Sequence, residues 1–121
     1  MDLYSEIILD YYKNPRNKGP LKDATHFAEE DNPLCGDKIR IDLKIVDNII
    51  TDAKFSGQGC AISQAATSML TEKLIGKTLS ESKSLTVQDM TEMLGIPISP
   101  GRLKCATLGL IAFQKALTQK L

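Results

Sequence analysis

The stretch NPLCGDKIRIDLKIVDNIITDAKFSGQGC, residues 32–60, has the clearest structural pattern in this chain of 121 residues. Apolar and charged side chains alternate over residues 38–45, as they do in a strand with one buried and one solvated face. The same period of two continues over residues 49–55, after the turn-forming pair Asp47 and Asn48. The pattern predicts an antiparallel hairpin.

The length of the hairpin loop sets which residues pair across the two strands. A two-residue loop pairs Ile39 with Ser56, which mixes the apolar and polar faces. A three-residue loop that includes Val46 pairs Ile39 with Phe55 and keeps the apolar side chains together. We therefore expect the three-residue loop.

The remainder of the chain has the periodicity of helices, separated by breaks. Leu3, Ile7 and Tyr11 recur every fourth residue and predict a helix that ends before Pro15. Residues 21 to about 32 have little pattern and are expected to wind over the surface. Further helices are predicted over residues 62–74, 87–94 and 103–117.

This order of elements predicts an α+β fold, with a small antiparallel β-sheet and helices packed on one of its faces. The length of the chain suits a single domain, residues 1–121. Neither an internal repeat nor an interdomain linker is evident in the sequence.

Composition and charge exclude several classes of function. Fifteen basic and fifteen acidic side chains cancel, so the sequence lacks the positive surface typical of a nucleic-acid-binding protein. No apolar stretch approaches the roughly 20 residues that span a bilayer, and the first residues do not resemble a secretory signal. We expect a cytoplasmic location, no membrane association and, with an odd number of cysteines, no closed disulfide framework.

Three cysteines and one aspartate are the candidate metal ligands. Cys35 and Cys60 stand at the open end of the predicted hairpin, and Asp37 follows Cys35 by two residues, so an extended backbone directs both side chains to one side. Cys60 and Cys105 are each expected at or near a helix start, where free N–H groups stabilise a thiolate. Three sulfurs and one oxygen suit zinc or iron.

The residues alone leave a simpler alternative open. An unpaired cysteine is often buried as a small apolar side chain. None of the three spacings is the C-x-x-C pair of a zinc ribbon. The glycines in CGD and GQGC favour a site, because glycine lets the backbone approach a ligand closely.

Four blocks of the sequence, in order, resemble the NifU/IscU/SufU family of iron–sulfur cluster assembly proteins. They are LDYYKNPRNKGPL, NPLCGDKIRI, DAKFSGQGCAIS and GRLKCATLGL, and the resemblance covers almost the whole chain. It implies that Cys35, Cys60 and Cys105 are the three family cysteines and that Asp37 is the family aspartate. In that family these groups bind zinc, accept sulfur from a cysteine desulfurase and hold a nascent iron–sulfur cluster.

Within the family the sequence is most similar to the SufU-type branch. Lys104 precedes the last cysteine, where IscU-type members have a histidine, and SPGRLK replaces the proline-rich motif that meets an Hsp70-class chaperone. The chain nevertheless lacks the longer insertion that SufU-type proteins carry between the second and third cysteines.

The resemblance implies a scaffold or sulfur acceptor rather than a stand-alone enzyme. As a scaffold, the protein assembles a transient cluster and passes it to apo iron–sulfur acceptor proteins, with Asp37 as the weaker ligand that keeps the cluster labile. As a zinc-dependent sulfurtransferase of SufU type, it takes sulfur first on Cys35 and forms no stable cluster. A third hypothesis is a structural zinc-binding domain that only binds a partner.

Overall fold

The computed structural model describes the backbone of residues 3–33 and 36–120, and the side chains of residues 6–33 and 36–120. In chain order its elements are α1 (Leu3–Lys13), β1 (His26–Asn32), β2 (Asp37–Val46), β3 (Ile49–Gln58), α2 (Ala61–Leu74), α3 (Leu79–Lys83), α4 (Val87–Leu94) and α5 (Pro100–Ala116). The predicted α+β class is confirmed. No helix in the described part of the chain is long and apolar enough to cross a membrane.

The hairpin of β2 and β3 is present, but the predicted three-residue loop is wrong. Val46 pairs with Ile49, which leaves a two-residue turn at Asp47 and Asn48. Both turn residues have positive φ, 52° and 63°. A two-residue type I′ turn requires positive φ at both positions, and aspartate and asparagine adopt it more readily than most residues.

A β-bulge then corrects the register that the short turn alone would impose. Thr51 has no partner in β2, because Ile50 pairs with Ile45 whereas Asp52 pairs with Lys44. The Thr51 hydroxyl donates a hydrogen bond to the Lys44 carbonyl at 3.2 Å. The extra residue shifts the register by one, so that apolar side chains again meet on one face.

Residues 26–32, expected to wind over the surface, instead form the edge strand β1. It pairs antiparallel with β2, from His26 opposite Leu43 to Asn32 opposite Asp37. Ala28 is its only fully buried apolar side chain. The strand depends on backbone pairing with β2 and on contact with α5, neither of which produces an alternating pattern in its own sequence.

The helices cover the apolar face of the sheet. α5 packs on β1 and β2, α2 packs on β3, and α1 packs on α2. The three helices predicted after the hairpin are present as α2, α4 and α5, although α5 begins at Pro100, three residues earlier than predicted. The short α3 was not predicted. The fully buried large side chains of the core include Ile39, Ile41, Leu43, Phe55, Leu70 and Phe113.

α2 and α5 approach each other closely where Gly109 faces Thr67. A Cβ atom added at Gly109 would lie 2.5 Å from Thr67 Oγ1 and 3.2 Å from Thr67 Cβ. Thr67 is fully buried, and its hydroxyl donates to the Ser63 carbonyl at 2.8 Å. Glycine at position 109 therefore sets how near the two helices can come.

We expect Gly109→Ala to lower the free energy of unfolding by about 1–3 kcal/mol, because the overlap with Thr67 outweighs the better helix propensity of alanine. Gly101→Ala, in the same helix, is the control, since a Cβ there meets nothing within 4 Å. Urea unfolding measures both variants. Equal stability of the two would contradict the role assigned to the helix approach.

Candidate metal site

The structure brings three of the four sequence-predicted ligands together. One ligand atom from each of Asp37, Cys60 and Cys105 lies within 4.8 Å of the other two. The three residues come from a strand start, a helix start and a second helix, and they are far apart in the sequence. Cys35 lies outside the described residues, so its place in the site stays a prediction.

The hairpin register places Asp37 beside Cys60. β2 begins at Asp37 and β3 ends at Gln58, and the neighbouring pair Lys38 and Gln58 closes the ladder. The chain continues from Gln58 through Gly59 to Cys60, which is the N-cap residue of α2 with φ −70° and ψ 169°. The prediction that Cys60 stands at a helix start is confirmed.

The same prediction for Cys105 is wrong. α5 begins at Pro100, so Cys105 is its sixth residue and lies beyond the first turn. The field of the helix dipole is concentrated in that turn, so it does not explain a reactive thiol at this position. Cys105 reaches the site because α5 packs across the sheet, which also leaves the thiol buried, with 4% of the residue exposed.

The Asp37 carboxylate is buried, and its two oxygens have different surroundings. The residue is 3% exposed. Its Oδ1 accepts a hydrogen bond from the Cys60 N–H at 3.1 Å, and its Oδ2 lies 3.9 Å from Cys60 Sγ. The N–H donor at the start of α2 therefore satisfies one oxygen of the buried carboxylate. The second oxygen is directed toward the sulfur.

The ligand atoms open onto a cleft at the protein surface. Its lining includes Gly36, Gln58 and the exposed Arg102. Cys60 is half-buried, so solvent and ligands can reach its sulfur. Its backbone is fixed at the start of α2. Gly36, the neighbour of Cys35, has φ +75°, a conformation that favours glycine.

Ser63 is a residue at the site that sequence reasoning missed. It is fully buried, and its hydroxyl donates to the Cys60 carbonyl at 3.1 Å. A serine three residues after a helix-capping cysteine is the signal that could have identified it, because a short hydroxyl side chain in the first turn bonds readily to nearby backbone.

The donor set fits the metals that the sequence predicted. Two sulfurs and one carboxylate oxygen from the described residues are ligands that zinc and iron accept. Closely grouped ligand atoms facing a cleft make metal binding the chemistry that this arrangement supports.

Comparison with known proteins agrees with the sequence motifs. The family model "NifU-like N terminal domain" matches residues 3–120. The zinc-dependent sulfurtransferase SufU of Bacillus subtilis is 40% identical, over 98% of this chain and 91% of that protein. The iron–sulfur cluster assembly scaffold protein IscU of Thermotoga maritima is 42% identical, over 88% of this chain and 75% of that protein.

A solved structure shows the same fold. It is described as an iron–sulfur cluster assembly scaffold protein for the SUF system from Fervidobacterium islandicum AW-1. The two structures superpose with a TM-score of 0.76 at 34% identity, over 94% of this chain and 96% of the other. Motifs, fold and site geometry agree, and the chain belongs to the NifU-like N-terminal domain family.

Proposed function

We propose that this protein accepts sulfur from a cysteine desulfurase and serves as the scaffold on which an iron–sulfur cluster is assembled and passed to apo acceptor proteins. The observation that carries the proposal is the convergence of Asp37, Cys60 and Cys105 on one open cleft. Relatives of both kinds, a scaffold and a sulfurtransferase, match most of the chain.

The cluster is the cargo of this site, and we assign its ligands to Cys35, Cys60, Cys105 and Asp37. Thiolate sulfur is a strong ligand for iron, whereas the carboxylate oxygen of Asp37 is a harder and weaker one. One weak ligand among three strong ones leaves a coordination position that an acceptor protein can take over. The three thiolates thus bind the cluster, and the weak fourth ligand allows its release to an acceptor.

We assign the first sulfur acceptor to Cys35. Its thiolate attacks the outer sulfur of the desulfurase persulfide, the sulfur–sulfur bond of that persulfide breaks, and the desulfurase cysteine leaves as a thiolate. Cys60 is restrained at a helix start and Cys105 within a helix. Gly36, the next residue after Cys35, has a left-handed backbone, and a Cβ added there would meet nothing within 4 Å, so this part of the described chain leaves room for a partner to approach.

A zinc-dependent sulfurtransferase is the second candidate function. The Bacillus relative carries that name, and it aligns over 91% of its own length. Zinc suits the same donor set, and when bound it holds cysteine sulfur in the deprotonated form. The alignment extends over 135 positions against 121 residues here, so the relative has residues without counterparts in this chain. A purely structural zinc domain is the third hypothesis, and the scaffold and sulfurtransferase relatives favour the first two functions over it.

Metal analysis and anaerobic reconstitution separate these functions. Incubation with iron(II), cysteine, a desulfurase and a thiol reductant, which reduces the persulfide sulfur to sulfide, should produce the visible absorption of an iron–sulfur cluster, and an apo-ferredoxin should then acquire that cluster. Cys60→Ser and Cys105→Ser should abolish both. Persulfide without a cluster, on zinc-loaded protein, would favour the sulfurtransferase instead. Protein that takes up neither metal nor sulfur would contradict both functions.

Replacing Asp37 with alanine should slow release of the bound metal or cluster rather than abolish its capture, because the carboxylate is the exchangeable ligand. Transfer to an apo acceptor or a chelator measures the rate. Asp42→Ala is the matched control, since Asp42 is a second buried carboxylate of β2 but pairs with Arg40 at 3.0 Å. Faster release from the Asp37 variant would show the assignment to be wrong.

The sulfur acceptor can be identified by mass spectrometry after reaction with a desulfurase and cysteine. The chain has three cysteines, so three single Cys→Ser variants examine every thiol. Persulfide should disappear in Cys35→Ser and persist in Cys105→Ser, because thiolate access decides which sulfur reacts first. The reverse result would place the acceptor at Cys105.

A further inference from the structure

Gly59 stands between the end of β3 and the candidate ligand Cys60, and it is packed against the site. A Cβ added there would lie 2.2 Å from Ser63 Oγ, 2.9 Å from Asp37 Oδ1 and 3.1 Å from Asp37 Cγ. Gly59 is not among the glycines with positive φ. Backbone conformation therefore does not require glycine at this position, whereas space does.

We propose that Gly59 is a positioning residue, whose missing side chain allows the Asp37 carboxylate to reach the Cys60 N–H. That hydrogen bond occupies Oδ1 and leaves Oδ2 facing Cys60 Sγ. Asp37 is thus prepared to bind a metal through one oxygen. The metal-binding consequence rests on the proposed function, whereas the hydrogen bond itself does not depend on it.

The crowding around Gly59 involves side-chain ends, which makes its effect local to the site. Asp37 Oδ1 and Ser63 Oγ are side-chain ends, which a rotation displaces more readily than it displaces paired backbone. Gly57 offers the contrast, because a Cβ there would lie 2.0 Å from the Lys38 carbonyl oxygen, which belongs to the paired backbone. Asp37 is buried, so turning away breaks its hydrogen bond to Cys60.

Ser63 allows the two contacts of the added methyl group to be separated. Its hydroxyl is the nearest obstacle and bonds to the Cys60 carbonyl. Ser63→Ala removes that oxygen, and of the three atoms nearest to the added Cβ the two that remain both belong to Asp37. The double variant Gly59→Ala/Ser63→Ala therefore displaces the carboxylate, whereas Ser63→Ala alone leaves it in place.

The first experiment measures hydrogen exchange of the Cys60 amide by NMR in the metal-free protein. Exchange should be about tenfold or more faster in Gly59→Ala/Ser63→Ala than in Ser63→Ala, as expected on losing a hydrogen bond to a charged acceptor. Gly101→Ala adds a methyl group that meets nothing within 4 Å and should leave the amide unchanged. Equal exchange in the double variant and in Ser63→Ala would overturn the proposal.

The second experiment measures release of cobalt(II), followed by its visible absorption, to a chelator. In the Ser63→Ala background, Gly59→Ala should slow release to the same degree as Asp37→Ala, and adding it to Asp37→Ala should change nothing more. Independent, additive effects would overturn the proposal. A double variant that fails to fold while Asp37→Ala folds would also overturn it, since Gly59 would then serve the fold.

The two experiments distinguish this inference from the proposed function. A parent protein that binds neither cobalt nor zinc would contradict the proposed function, and the Cys60 amide would still decide the role of Gly59. Normal cobalt binding with unchanged exchange at the Cys60 amide in the double variant would instead contradict the role of Gly59 alone.

Discussion

The hydrogen bond from the Cys60 N–H to the Asp37 carboxylate joins the first residue of β2 to the start of α2. The candidate site depends on this contact, because it brings a strand-borne oxygen against a helix-borne sulfur. Burial of a carboxylate is costly unless its charge is compensated. The Cys60 N–H, at the start of α2, provides a hydrogen-bond donor for that carboxylate, so one interaction both satisfies a buried oxygen and positions the ligand.

That contact in turn depends on the register of the hairpin. With the bulge at Thr51, Lys38 pairs with Gln58, and Asp37 stands next to Gly59 and Cys60. In the register predicted from the sequence, with Ile39 opposite Phe55, Asp37 would face Gly57 instead. Asp37 would then stand two residues farther from Cys60 along β3. A single unpaired residue near the turn thus decides which groups meet at the opposite end of the strands.

The third ligand is positioned by helix packing. Cys105 lies in α5, and α5 contacts both the sheet and α2. The close approach of Gly109 to Thr67 limits the separation of α5 and α2 one turn beyond Cys105. Cys105 lies in α5, and Cys60 is the residue that caps the start of α2. Distances within the site are therefore set by the core, which holds a strand start and two helices as one packed unit.

The sequence by itself determined the elements with a strong local period and the identity of the candidate ligands. Alternation predicted β2 and β3, and apolar spacing predicted α1, α2, α4 and most of α5, because one buried face imposes its period on the residues that form it. The glycine-flanked cysteines and Asp37 were recognisable because metal chemistry restricts the residue types that can serve.

Only the tertiary structure decided β1, the hairpin register and the environments of the cysteines. β1 has one fully buried apolar residue, and its backbone hydrogen bonds to β2 hold it in place. Its sequence therefore shows no alternation of apolar and polar residues that could have predicted a strand. The bulge at Thr51 keeps the apolar side chains of β2 and β3 on one face. The sequence analysis had explained the same pairing by a longer hairpin loop. Cys105 reaches Asp37 and Cys60 through the packing of α5, and Gly59 is required by the space that Asp37 and Ser63 fill. These features depend on residues distant in sequence becoming neighbours, which no local pattern encodes.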